Sequence, residues 1–324
     1  MGLLVDGQWQ DRWYNTSSTG GQYVRMESFF RGRVAADGST GFRPASGRYH
    51  LYVSYACPWA HRALIYRALK GLEEHVSVSV VNPLMMENGW TFDDWPGVIP
   101  DPIGRVTYLH QIYTRAMPDY TGRVTVPVLW DRESETIVSN ESAEIIRLFD
   151  REFDAVGVTG THFCPPGLEA EIDTINEFIY TRINNGVYRA GFATTQEAYD
   201  EAVTGLFTAL DEIEDRLTQS RYLLGNRITE ADWRLFTTMV RFDSVYFGHF
   251  KCNVRRLVDY PNLWGWTREL YQMPGVATTV QFDHVKAHYY RSHSTINPTG
   301  VVPKGPIIDF TEPHGRGQEP IARG

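Results

Sequence analysis

The chain has 324 residues, 42% of them hydrophobic and 22% charged, which is the balance of a globular protein with room for two domains and a sizeable core. Its formal net charge is -8 and no basic stretch runs along it, so a nucleic-acid partner has no electrostatic footprint here. The three cysteines, Cys57, Cys164 and Cys252, are odd in number and far apart. That pattern is a poor disulfide framework and points to a reducing compartment, the cytoplasm. No CxxC pair or His cluster offers a metal site. No apolar run approaches the ~20 residues needed to span a bilayer. The opening MGLLVDGQWQDRW lacks a signal core, and Asp6 breaks the myristoylation pattern.

Residues 1–45 are rich in Gly, Ser and Arg and read as an extended arm. Residues 49–53 read as a strand, rich in aromatic and β-branched types. Cys57-Pro58-Trp59-Ala60 follows, and residues 61–69 carry helical spacing. Residues 76–81 alternate and read as a second strand. Residues 82–122 are irregular, too long for an ordinary loop, and read as a functional insertion. Residues 126–130 form a third expected strand, 131–135 a turn and 136–138 a fourth strand. A helix then starts near 139–142 and runs to about 150. The order β-α-β then β-β-α is the layout of a thioredoxin-like domain, over residues 46–155.

Residues 156–167 form a Gly/Pro-containing linker to a helical domain, 156–290. Helical periodicity runs over 168–184, 195–219 and 230–247, with a final helix over 275–290. Thr229 with Asp232 three residues later is a variant capping box. The tail, 291–324, is full of Pro and Gly. The fold class is thus α/β plus all-α.

Pro58 suits the first position of a helix, where its missing N–H costs nothing. Cys57 then stands at or beside the N-cap. Unpaired N–H groups and the positive end of the helix dipole favour thiolate over thiol there. A thiolate is the attacking species in disulfide exchange. The second cysteine of a dithiol oxidoreductase would fall at position 60, where Ala60 stands, so an external thiol must resolve any mixed disulfide. The bland alternative is a buried, inert cysteine.

The segment from Ser54 to Arg62, with Cys57 and Pro58 at its centre, resembles the active-site segment of the glutathionyl-hydroquinone reductases, the Xi class of glutathione transferases. The resemblance extends over Asn88-Gly89-Trp90-Thr91-Phe92, residues 126–131, Ser139-Asn140-Glu141-Ser142 and residues 184–191. It closes with His288-Tyr289-Tyr290, Ser292-His293 and Ile296-Asn297-Pro298, and so covers nearly the whole chain. It implies a glutathione-transferase fold, with glutathione as co-substrate and a quinol-type second substrate. It also implies a homodimer.

Val126-Pro127 resembles the cis-proline turn of thioredoxin-like folds, in which the residue before proline offers its backbone to the cysteinyl unit of glutathione. The alternative is an edge-strand proline. Glu141-Ser142 sits where a helix begins. Such a start binds carboxylates, which assigns the γ-glutamyl carboxylate to Ser142 and its ammonium to Glu141. Plain capping by Ser139 or Asn140 is the other reading. Trp90 and Arg123 resemble residues at the glycine end and flank of glutathione, with Arg123 countering a carboxylate. A core role is the alternative for Trp90. By the same resemblance Tyr188 and Tyr289 line the hydroquinone pocket, together with Tyr290, where a phenol could donate to a quinol oxygen. Interior packing is the alternative for both. His61 and His288 are set aside as packed or solvated residues.

The expected reaction removes glutathione from a glutathionyl-hydroquinone through a Cys57–glutathione mixed disulfide, without metal, flavin or nicotinamide. Two rivals stand beside it. One is a conjugating glutathione transferase or dehalogenase. The other is a non-catalytic ligand-binding or assembly module, for which membrane insertion lacks a long apolar helix near Cys57.

Overall fold

The computed structural model describes residues 2–157 and 162–317. Residues 158–161 of the expected linker and 318–324 of the expected tail lie outside them. The chain divides into two compact units. The first takes in Met1–Trp13, Arg25–Thr161 and Thr278–Ser294, and the second Tyr14–Val24, His162–Ala277 and Thr295–Gly324.

In the first unit the arm is partly sheet. Strands β1 (Leu3–Val5) and β2 (Gln8–Gln10) pair antiparallel across Asp6-Gly7. Both turn residues have positive φ, 47° and 73°, the left-handed conformation that tight hairpin turns need. The central strand β3 (Tyr49–Val53) is buried along its whole length, as its aromatic and β-branched run predicts. Helix α1 (Pro58–Leu69) and strand β4 (Val76–Val80) follow. The insertion contains helix α2 (His110–Ala116) and is ordered by buried Asp101. The Asp101 carboxylate accepts the Tyr52 hydroxyl (2.9 Å) and the amides of Ile103, Gly104 and Val106 (2.9, 2.8 and 3.3 Å).

Strand β5 (Gly122–Arg123) pairs with β1, matching Leu3 to Arg123, so the arm fixes the backbone of Arg123. Strands β6 (Val128–Asp131) and β7 (Thr136–Ser139) and helix α3 (Ser142–Arg151) complete the frame. The larger sheet has the order β4-β3-β6-β7, with β3 parallel to β4 and the other pairs antiparallel. Helix α1 packs on α3. The third strand starts two residues later than expected. The Val126–Pro127 peptide is cis, which turns the chain there, and Pro127 has no N–H to give a ladder.

The second unit is helical: α4 (Glu169–Ile179), α5 (Gly186–Gly191), α6 (Gln196–Gln219), α7 (Glu230–Met239) and α8 (Pro261–Tyr271). Two expected helices are broken. The run 168–184 ends in a π-helical turn, Tyr180–Asn184, and the run 230–247 gives way to another, Phe242–Tyr246. The capping box of Thr229 and Asp232 is present and wholly buried. The last helix, α9 (Phe282–Ser292), begins later than 275: Gly275 takes φ 87°, and Ala277–Thr279 form a separate 3-10 turn before it. It belongs to the first unit.

Candidate active site

Cys57 is the N-cap of α1, with φ -75°, ψ 121° and Pro58 at the first helical position. Its carbonyl accepts the first helical bond, from the His61 amide at 3.0 Å. The local sequence explains the geometry. Ser54 accepts the Cys57 amide at its carbonyl (3.1 Å) and the Ala56 amide at its hydroxyl (3.2 Å), which turns the chain out of β3. The Cys57 side chain is half-buried, so the thiol lies at the positive end of a helix without being sealed off. Its Sγ donates to the Val126 carbonyl at 3.4 Å. The backbone edge of residue 126 thus lies at the thiol.

At the start of α3, Glu141 and not Ser139 or Asn140 is the N-cap; its Oε1 accepts the Ala143 amide at 3.0 Å. Ser139 caps the turn before it, accepting the Glu141 amide at 3.1 Å. Ser142 is buried, and its Oγ lies 3.4 Å from Arg62 Nη1. Arg62 is also buried and stacks on Trp59, its guanidinium carbon 4.6 Å from the ring centroid. Arg25, from the arm, lies 4.3 Å from the same ring. Burial alone would push the Glu141 carboxyl up. The Ala143 amide, the Ser28 hydroxyl and the charges of Arg62 and Arg25 outweigh it, so the group is held below its ordinary value and stays anionic. Arg25, Ser28 and Arg62 carry no role in the sequence reading. Arg62 stands inside the cysteine motif, but nothing local marks Arg25 or Ser28.

Trp90 is buried and stacks on His288 of α9, with centroids 4.9 Å apart and planes at 24°. His288 Nδ1 lies 2.9 Å from the Pro83 carbonyl. A carbonyl only accepts, so Nδ1 carries the proton. Tyr289, also buried, meets His288 edge-on at 5.3 Å. Tyr290 is half-buried, and burial raises its phenol. Arg123 gives its Nη1 to the Arg12 carbonyl at 2.6 Å. Cys57, Trp90, Arg123, Val126, Pro127, Glu141, Ser142 and Tyr289 all belong to the first unit. Tyr188 belongs to the second, in an aromatic cluster with Phe250 at 5.5 Å, Tyr246 at 6.0 Å and Phe192 at 6.1 Å.

A thioredoxin-like unit with a single N-cap cysteine beside a cis-proline, together with a helical unit, is the layout of a cysteine-type glutathione transferase. Family models agree. Residues 56–152 match the glutathione S-transferase N-terminal domain and residues 196–269 the C-terminal domain. The chain is 58% identical to the glutathionyl-hydroquinone reductase YqjG of Escherichia coli, over 98% of each chain. It is 56% identical to the glutathionyl-hydroquinone reductase PcpF of Sphingobium chlorophenolicum, over 94% of this chain and 96% of that one. Among solved structures, glutathione-bound YqjG superposes with a TM-score of 0.90, covering 97% of this chain and 99% of that one at 55% identity. The Xi-class transferase of Natrialba magadii superposes with a TM-score of 0.91, covering 98% and 96% at 51% identity. The chain belongs to the glutathionyl-hydroquinone reductases, the Xi class of the glutathione transferase family.

Proposed function

We propose that this enzyme reduces glutathionyl-hydroquinones with glutathione, and that Cys57 carries the chemistry. The observation behind this is the half-buried Cys57 thiol at the N-cap of α1, with Ala60 where a resolving cysteine would stand. The Cys57 thiolate attacks the sulfur of the glutathionyl-hydroquinone. The sulfur–carbon bond breaks, its electron pair stays on the ring carbon, and that carbon takes a proton. Hydroquinone leaves, and Cys57 is joined to glutathione by a disulfide. The thiolate of a second glutathione attacks the glutathione sulfur of that disulfide, which releases oxidised glutathione and the Cys57 thiolate. The hydroquinone is reduced at carbon, and two glutathione sulfurs are oxidised to one disulfide.

In this reading Val126, set by the cis bond to Pro127, pairs its backbone with the cysteinyl unit of the bound glutathione. Glu141 takes the γ-glutamyl ammonium, and Ser142 the neighbouring carboxylate. Arg123 and Trp90 hold the glycine end, and Tyr188 and Tyr289 face the quinol. The protein acts in the cytoplasm as a homodimer. Among the described residues no helix is long and apolar enough to cross a membrane.

Mass spectrometry of the whole chain with glutathione disulfide tests the covalent step. A gain of one glutathione on the Cys57 peptide, lost on adding free glutathione, is the expected result. A modified Cys164 or Cys252 peptide with Cys57 untouched would refute it.

A further inference from the structure

The arm before β3 crosses the start of α3, and its backbone is pinned there by the residues just after Ser28. The Phe30 amide donates to Asn140 Oδ1 at 3.0 Å, and Phe30 accepts the Asn140 amide at 3.0 Å. Arg31 pairs with Glu144 at 2.6 Å, and the Gly32 amide donates to the Val138 carbonyl at 2.7 Å. Held there, the Ser28 hydroxyl lies 3.0 Å from Glu141 Oε2 and 3.3 Å from the Asn140 carbonyl. It has one proton to give, and the closer, charged oxygen is the stronger acceptor. The other Glu141 oxygen, Oε1, takes the Ala143 amide and lies 3.4 Å from Ser142 Oγ. The two oxygens are therefore fixed by different segments: Oε1 by α3 itself, Oε2 by a serine 113 residues away in sequence.

Fixing Oε2 matters because Glu141 lies in the field of two guanidinium groups. Arg25 and Arg62 both act on it. An unheld carboxylate beside two cations turns toward them, away from any third cation that arrives. We propose that Ser28 is a positioning residue of the glutathione site. Its hydroxyl holds Glu141 Oε2 where the γ-glutamyl ammonium of glutathione is received. This rests on the assignment of Glu141 to that ammonium. The arm is then part of the substrate site and selects for the free amine of glutathione.

The test compares two ligands on the full chain by calorimetry. One is glutathione; the other is its analogue with the γ-glutamyl amine replaced by hydrogen. In Ser28→Ala, glutathione binding weakens by roughly threefold to tenfold, the loss of one hydrogen bond to a charged group. The analogue binds as before, KM for glutathione rises and kcat is kept. Ser28→Thr, which retains the hydroxyl, restores most of the preference. Equal losses for both ligands, or no loss, overturn the proposal. Its failure is separable from failure of the Glu141 assignment. If the unmutated protein binds both ligands alike, the assignment falls and the Ser28 proposal with it. If the unmutated protein prefers glutathione and Ser28→Ala keeps that preference in full, only Ser28 falls.

Discussion

Two helix starts in this molecule are built from similar parts to opposite ends. At α1 the N-cap is Cys57, whose side chain accepts no bond from the helix's first amides; Pro58 follows it, and the thiol is half-buried. At α7 the N-cap is Thr229, and Asp232 closes the box. Asp232 Oδ2 accepts the Thr229 amide (2.8 Å) and hydroxyl (3.1 Å), while Oδ1 accepts the Leu223 amide (3.1 Å) and the Trp266 indole (3.0 Å). Both residues of that box are fully buried. At α7 the box and the Phe163 carbonyl, which accepts the Glu230 amide at 2.8 Å, close the helix start and tie it to the loop before it. The positive end of α1 faces a half-buried thiol that stays open to a substrate. A helix terminus can serve stability or chemistry, and what separates these two is that one cap is sealed in the interior and the other is left half-buried.

The largest expected effect breaks the comparison on the α1 side. Cys57→Ala should lower turnover by at least about a thousandfold, since the nucleophile is gone, with the melting temperature essentially unchanged. Cys57→Ser should also lose reductase turnover and gain measurable conjugation of glutathione to an aryl halide. A hydroxyl can hold glutathione's thiolate but cannot form a disulfide with it. Steady-state rates with both substrate types decide the matter. A serine variant with full quinol-releasing activity would remove Cys57 from the nucleophile's role.

The next effect falls on the α7 side and should be its mirror image. Asp232→Ala leaves two amides and an indole N–H without their buried acceptor, at about 1–3 kcal/mol each. Urea denaturation should show a loss of more than about 3 kcal/mol, while activity per folded molecule is kept. A stable but inactive variant would contradict the separation of the two helix starts.

Cysteine chemistry draws the same line with a smaller effect. Cys252 in the second unit is fully buried, its Sγ 3.8 Å from the Phe250 carbonyl and 3.9 Å from the Val187 carbonyl. Burial pushes its thiol far up. Iodoacetamide near neutral pH should therefore label Cys57 more than tenfold faster than Cys252 or buried Cys164. Peptide mapping after short exposure reads the ratio, and comparable labelling of all three in folded protein would refute the distinction.

Both helix starts are legible in the sequence. Thr229 and Asp232 announce a helix start in four residues, and Cys57-Pro58 does so in two, because capping is local chemistry. The strands around Cys57 were legible for the same reason: β3 and β4 alternate or run apolar within five residues each. What the local sequence does not carry is address. Periodicity reports that α9 is a helix, but not that His288 stacks on Trp90 or that the unit it joins is the first one. Nor does Ser28 announce Glu141 across 113 residues. The π turns of the second unit are invisible for another reason, since one extra residue in a turn leaves the apolar spacing almost intact.

The smallest expected effect sharpens the comparison through a third helix start, that of α3, against α7. Glu141 and Asp232 are both carboxylates at helix starts, and burial pushes each up. At Glu141 the Ala143 amide, the Ser28 hydroxyl and the charges of Arg62 and Arg25 reverse the sign, so its folded value lies below the ordinary one. At Asp232, fully buried, the Thr229 and Leu223 amides, the Trp266 indole and the Thr229 hydroxyl do not, and its folded value lies above. The consequences for stability are opposite in slope. A lowered folded value gives a contribution that is complete above the unfolded value near ~4.3 and is lost as pH falls through the folded one. A raised folded value gives a contribution that is complete below the unfolded value near ~3.9 and is lost as pH rises through the folded one. Urea midpoints of the unmutated protein, Glu141→Gln and Asp232→Asn should therefore diverge between pH 6 and pH 3. The advantage of the unmutated protein over Glu141→Gln should shrink as the pH falls, and its advantage over Asp232→Asn should grow. Parallel slopes for the two variants would show that the Ala143 amide, the Ser28 hydroxyl and the two arginines do not hold Glu141 anionic, and that the two helix starts differ only in exposure.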